Sequence, residues 1–195
     1  MKKQKDLSDN TGRSALEMAG VLVIIAILTV GGIAGYSKAM PQYRMYKLAD
    51  QAAMIITNIR AAFSIKDNYA GLTTTAGIQM GAISKESVKD GAAYTVYGGH
   101  VFLAPSEDNH SVFITFSGLP KNACVYLATA DWAGQLGSGI KSIATLVQET
   151  QAPVSSRPEN NIGTEEDKTI PLTPVVAGAG CSDSGFNNAV VIEYK

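Results

Sequence analysis

Met18 to Tyr36 reads MAGVLVIIAILTVGGIAGY, a stretch without a single charge, and it limits what this chain can become. An α-helix of that length, at ~1.5 Å per residue, covers ~29 Å, about the thickness of a bilayer's hydrocarbon core. Lys2, Lys3, Lys5 and Arg13 precede the run, against Asp6 and Asp9. The positive-inside rule therefore holds the N-terminus in the cytoplasm and exports the remainder of the chain. An ordinary secretory signal has a shorter apolar core and ends in a small-residue cleavage site, and Tyr36-Ser37-Lys38-Ala39 is a poor one.

Glu17 stands at the mouth of this run, in Gly12-Arg13-Ser14-Ala15-Leu16-Glu17-Met18. A carboxylate entering a membrane costs roughly 2.5–3.5 kcal/mol at mid-bilayer and less near the interface, so it usually has a partner. The bland alternative is a group that rests among the headgroups and does nothing.

A glycine, a glutamate five residues later and about twenty apolar residues resemble the type III signal of type IV prepilins. The resemblance implies that a prepilin peptidase cuts between Gly12 and Arg13 and methylates the new α-amine. Met1 to Gly12 is then a short basic leader, and Glu17 becomes the fifth residue of the mature chain. The amine at Arg13 of one subunit and Glu17 of its neighbour would lie at nearly the same depth. In a medium of low dielectric they attract and relieve each other's desolvation, which fixes register between subunits. Arg13 departs from the family, where Phe, Met or Leu is common at this position, and leaves a cut after Arg13 as the alternative.

Helical periodicity continues beyond Tyr36. Met45, Leu48, Ala52, Ile55, Ile59 and Ala62 recur at steps of three and four, and Ile56 and Phe63 broaden the stripe. The expectation is one helix over residues 13–66, with a transmembrane and assembly segment at about 14–36 and an amphipathic continuation over 37–66. Gly31, Gly32 and Gly35 each lower helix stability by ~1 kcal/mol, and Pro41 removes a backbone donor. These four residues either mark a weak stretch that unwinds when the helix leaves lipid, or are ordinary membrane-helix glycines and an interfacial proline.

Residues 67–195 read as an α+β head domain. Leu72 to Gly91 is irregular with a short helical piece. Ala93 to Tyr97, His100 to Ala104 and Ser111 to Phe116 are strand candidates, the first two joined by Gly98-Gly99, a strong hairpin signal. Together they predict an antiparallel meander under the helix. Lys121 to Ala133 is helical in pattern, and Ile140 to Thr150 is helix or strand. Ala152 to Lys168 reads as an exposed loop, with strands after it at Ile170 to Val176 and Ala189 to Tyr194. Hydrophobic residues make up 46% of the chain, enough for a packed core, and the net charge of −1 supplies no basic field for nucleic acid.

Cys124 and Cys181 are the only cysteines. In an exported chain a disulfide between them is the default, and two buried thiols are the alternative. Their surroundings, Leu119-Pro120-Lys121-Asn122-Ala123-Cys124 and Cys181-Ser182-Asp183-Ser184-Gly185-Phe186-Asn187-Asn188, resemble the type IVb pilins. That class covers bundle-forming, toxin-coregulated and conjugative thin-pilus subunits. The resemblance implies the type IV pilin fold, with a long helix on an antiparallel sheet and a C-terminal disulfide-bounded region. It implies a bacterial inner-membrane precursor with its head in the periplasm, and then an extracellular filament. Partners would be further copies of the chain, the peptidase, the inner-membrane assembly machinery and, before assembly, the membrane.

His100 and His110 are the only histidines, and neither sits in a ligand cluster, so neither metal nor cofactor is expected. Asn109-His110-Ser111 fits a short glycosylation sequon. No nucleophile elbow or P-loop occurs, and an enzyme is not expected. The favoured function is major pilin, serving adhesion, aggregation or conjugation. A minor pilin or pseudopilin of a type II secretion system shares the whole N-terminal signal, and a non-polymerising single-pass binding protein is the rival of another class.

Overall fold

The computed structural model describes residues 9–66, 68–132 and 139–195, with side chains from residue 15 onward. The expected leader falls largely on residues 1–8, outside the described residues. Contacts divide the chain into two compact units, 1–43 and 44–195.

Helix α1, Asp9–Phe63, runs through the first unit into the second and includes Pro41. Within the first unit its apolar side chains face outward. Leu16, Met18, Leu22, Leu28, Val30, Ile33 and Tyr36 are all more than 60% exposed. Thr29, the hydroxyl in the middle of this run, donates to the Ile25 carbonyl at 2.7 Å, so the helix satisfies its own polar group.

In the second unit α1 becomes amphipathic. Leu48, Ala52, Ile55, Ile56 and Ile59 are fully buried, whereas Ala62 of the expected stripe is exposed. Each large aliphatic buried here is worth about 1.5–3 kcal/mol. Gln51 Nε2 donates to the Tyr94 carbonyl and Asn58 Nδ2 to that of Ala82, tying the helix to later segments of the chain. The helix ends at Phe63, three residues earlier than expected, where the Phe63 ring packs on Tyr69 with centroids 5.1 Å apart.

Next come α2 (Thr74–Gln79), capped by the Thr73 hydroxyl, and a small ribbon of β1 (Val88–Lys89) and β2 (Ala92–Ala93). The main sheet, among the described residues, contains β3 (Val101–Pro105), β4 (Val112–Leu119), β5 (Ile140–Val147), β6 (Ile162–Thr164) and β7 (Asn188–Tyr194). Its order is β3-β4-β7-β5-β6, antiparallel throughout, so the last strand of the chain occupies the centre. Helices α3 (Lys121–Thr129) and α4 (Pro174–Gly180) belong to the same unit.

Strand β7 is buried along its whole length because both faces of the sheet are covered. Val190, Ile192 and Tyr194 face the core that holds Leu48, Ile55, Ile59, Phe116 and Leu127. Phe113, Val191 and Ala189 are equally buried but lie outside that core, on the opposite face.

Several expectations are corrected. Ala93 to Tyr97 does not join the main sheet. Only Ala92–Ala93 pairs, with β1, and Tyr94 makes a single bridge to His100. The meander is therefore a β3–β4 hairpin completed by β7. Ile170 to Val176 is not a strand, because Thr173 caps a helix and Pro174 opens it, an arrangement proline favours. Ile140 to Thr150 resolves as strand. Lys121 to Ala133 narrows to Lys121–Thr129, and position 133 lies outside the described residues. Ala152 to Lys168 is not a free loop. It contains β6, and its first part crosses the outer face of the sheet as a strap.

Both outer edges of the sheet are partly blocked. On β3 the Leu103 N–H donates to Thr74 Oγ1 at 2.9 Å, and Pro105 has no N–H to offer. On β6 the Thr164 N–H donates to Thr169 Oγ1 and its carbonyl accepts from the Thr169 N–H.

Candidate functional site

The predicted assembly residues all lie on α1. Gly12 and Arg13 fall within its helical span. Glu17 is exposed and, among the described residues, its side chain has no hydrogen-bond or ion-pair partner. Nine apolar residues, Leu16 and Met18 to Ile25, flank it, with only small Ala19 and Gly20 interrupting the large ones. The helix is long and apolar enough to cross a membrane, by length and composition. The helix is unbroken through Gly31, Gly32, Gly35 and Pro41. A Cβ built on any of the three glycines meets nothing within 4 Å, so no contact inside the chain requires glycine there.

The second predicted site is the cysteine pair. Cys124 on α3 and Cys181 at the C-cap of α4 form a disulfide with Cα atoms 5.9 Å apart, and both are fully buried. The bridge closes a segment of 57 positions, which by chain-entropy reasoning is worth ~4 kcal/mol. That segment includes β5, β6 and α4. Gly180, next to Cys181, sits against β5 so tightly that a Cβ there would overlap Thr145 Oγ1 and its carbonyl. After the bridge, Asn188 continues the fastening. Its Nδ2 donates to the carbonyls of Leu119 and Asp183, and its Oδ1 accepts from the Asp183 N–H.

A third feature is invisible to motif and spacing. Glu193, only 6% exposed on the central strand, accepts from Ser111 Oγ at 3.0 Å and Ser142 Oγ at 2.8 Å. Arg157 of the strap donates to both of its carboxylate oxygens through Nε and Nη2. The hydrogen bond to Glu193 holds the Arg157 guanidinium above its ordinary pKa. Gln151 Oε1 accepts from the His100 N–H and from Ser117 Oγ, and the Val154 N–H donates to Thr115 Oγ1. The one signal in the sequence is a lone glutamate in Ala189-Val190-Val191-Ile192-Glu193-Tyr194, since a buried charge demands a partner. Nothing in the sequence places that partner at Arg157.

His110 lies in a polar turn as expected. Asp108 Oδ1 accepts there from Ser106 Oγ and the His110 N–H, and these bonds hold its carboxyl below the usual range. Among the described residues no group of three or more metal-ligating side chains occurs.

A long apolar helix passing into an amphipathic half, an antiparallel sheet with the C-terminal strand at its centre and a disulfide-bounded C-terminal region are the architecture of a type IV pilin. Residues 42–192 match the family described as PilS N terminal, and this chain belongs to that family. A type IVb pilin from Salmonella typhi has the same fold at 22% identity and TM-score 0.53, over 76% of this chain and 97% of its own. TcpA, a type IV pilin from the Vibrio cholerae El Tor biotype, superimposes with TM-score 0.54 at 15% identity, over 78% of this chain and 99% of its own. No curated protein sequence matches the chain.

Proposed function

We propose that this chain is the major structural subunit of a type IV pilus and polymerises through α1 after its leader is removed. The observation that carries the proposal is a carboxylate, Glu17, without a partner among the described residues, at the mouth of an exposed apolar helix that leads into a pilin head. Apolar contact between helices holds subunits together but specifies their stagger poorly. An amine at Arg13 meeting Glu17 of the next copy supplies that stagger, because each charge relieves the other's desolvation only in one register. In this reading residues 1–12 are the leader, 13–66 the assembly helix and 67–195 the head, and Gly31 to Pro41 is the compliant stretch. The chain has no catalytic part to play. It depends on a prepilin peptidase and an inner-membrane assembly machine, and the finished filament serves adhesion, aggregation or conjugation.

Mass spectrometry of the mature N-terminus tests the first step. A methylated Arg13 is expected, and an intact Met1 would reduce the protein to a tethered domain. Electron microscopy of the sheared surface fraction tests the second, with the chain expected as the bulk of the filaments. Confinement of the chain to the cell envelope would instead indicate a minor pilin or a secretion pseudopilin.

A further inference from the structure

A shallow groove of about 440 Å³ on the second unit is lined by Glu86, Ser87, Val88, Lys89, Asp90, Tyr94 and Gly98. Its walls are two tight turns. One is the β1–β2 turn, where Asp90 and Gly91 both adopt positive φ, 51° and 77°, as a two-residue hairpin requires. The other turns at Gly98, with the Thr95 N–H donating to the Gly99 carbonyl. A Cβ on Gly99 would overlap the Ser117 carbonyl, so this turn is pressed against β4.

Tyr94 is half-buried, lines the groove and is anchored through its backbone. Its N–H donates to the Ser87 carbonyl at 2.7 Å, and its own carbonyl accepts from Gln51 Nε2 at 2.8 Å. Its ring packs on His100 with centroids 4.6 Å apart, and His100 stacks in turn on Phe102 at 5.5 Å. The result is a fixed aromatic surface in a fixed cleft. Around it stand two carboxylates and one ammonium, Glu86, Asp90 and Lys89, whose side chains have no partner among the described residues.

We propose that this groove binds an uncharged pyranose, with one C–H face of the sugar on the Tyr94 ring and its hydroxyls on Glu86, Lys89 and Asp90. The electron-rich ring face attracts the weakly positive C–H bonds of a sugar. Hydroxyls both donate and accept, which suits a site with acceptor-only carboxylates beside a donor-only ammonium. Two negative groups against one positive disfavour an anionic ligand, so acidic sugars and phosphates are excluded. Tyr94 is prearranged, so ordering on binding is confined to the exposed side chains of Glu86, Lys89 and Asp90. The inference rests on the second unit alone and is independent of whether the chain polymerises.

Saturation-transfer difference NMR on the full chain in lipid nanodiscs tests it, with methyl β-galactopyranoside, N-acetylglucosamine and N-acetylneuraminic acid as probes. Transfer to the ring protons of one face of at least one neutral sugar is expected, and none to the acidic one. Asp90→Asn tolerates the same positive φ and should weaken binding roughly tenfold by loss of a charge-assisted acceptor. Tyr94→Phe should bind as the parent does, and Tyr94→Ala, with folding checked by circular dichroism, should abolish transfer. Absence of transfer to both neutral sugars, equal binding of the acidic sugar, or undiminished binding by both Asp90→Asn and a folded Tyr94→Ala would overturn the proposal.

Discussion

Arg157 reaches from the strap across the outer face of the sheet and places two guanidinium nitrogens on the carboxylate of Glu193, on the central strand. The pair lies 36 positions apart in sequence and converts a polar segment into a fixed cover for Phe113 and Val191. Arg157 is partly open to water, whereas Glu193 is not. The two halves of the pair should therefore respond differently to removal.

Glu193→Ala leaves the buried Ser111 and Ser142 hydroxyls without their shared acceptor and opens a cavity, so a loss of about 2–4 kcal/mol is expected. Arg157→Ala leaves the carboxylate two hydroxyl donors and better access to water, and should cost less, roughly 1–2 kcal/mol after discounting for screening. Urea unfolding monitored by the fluorescence of Trp132, the single and buried tryptophan, would rank the two. An equal loss in both variants would contradict the role assigned to the hydroxyls.

Cys124→Ser with Cys181→Ser should lower stability by about 4 kcal/mol, and a reducing agent should act on the parent protein in the same direction. The chain between the two cysteines holds β5, β6 and α4, so protease cleavage should appear first in that segment. Calorimetry with and without reductant measures the first effect, and peptide mapping measures the second.

Gly180→Ala should cost more than an ordinary helix-end substitution. Its methyl would meet both the hydroxyl and the carbonyl of Thr145, so trimming the Thr145 side chain cannot fully relieve it. Overpacking of this kind costs about 1–3 kcal/mol, seen as a lower urea midpoint at unchanged slope.

Replacing Gly31, Gly32 and Gly35 by Ala meets no steric obstacle in the chain, and each change should stabilise the helix by about 1 kcal/mol. Slower amide exchange over residues 31–41 is the expected result in a membrane mimetic. If filaments of this variant are also stiffer or fewer, the glycines serve assembly. Glu17→Ala, by contrast, should leave membrane insertion intact and abolish or weaken filament formation.

The turn at Asp108 gives a pH response of defined sign. Its folded-state pKa lies below the ordinary value because Ser106 and His110 donate to the ionised form. The turn's contribution is therefore complete at neutral pH and disappears as the pH falls through that depressed value. The His110 amide chemical shift should move over that acidic range, and Asp108→Asn should remove the transition.

Much of this architecture is legible from local rules. The uncharged run and the three-and-four spacing from Leu48 to Ile59 mark α1, since a helix that changes environment must change its pattern. Gly98-Gly99 marks a real turn, yet the Ala93 to Tyr97 strand beside it fails because Tyr94 is spent on a single bridge and on His100. Thr173-Pro174 is a legible helix start, but the β-branched residues around it favour a strand by propensity. The strap is beyond reach, because its order comes from Gln151, Val154 and Arg157 meeting residues far away in sequence. Of the candidate sites, Glu17 and the cysteines announce themselves by chemistry. Arg157 does not, since nothing near it in sequence distinguishes it from a solvated charge.

The partly blocked edges at Leu103, Pro105 and Thr164 bear on how such molecules behave in a crowd. Thousands of copies stored side by side are an invitation to runaway ladder formation, which needs only a pair of vacant backbone rims. Here Thr74, Thr169 and a proline have occupied part of those rims in advance. Neighbouring heads can consequently touch with fewer vacant backbone groups from which a ladder could grow.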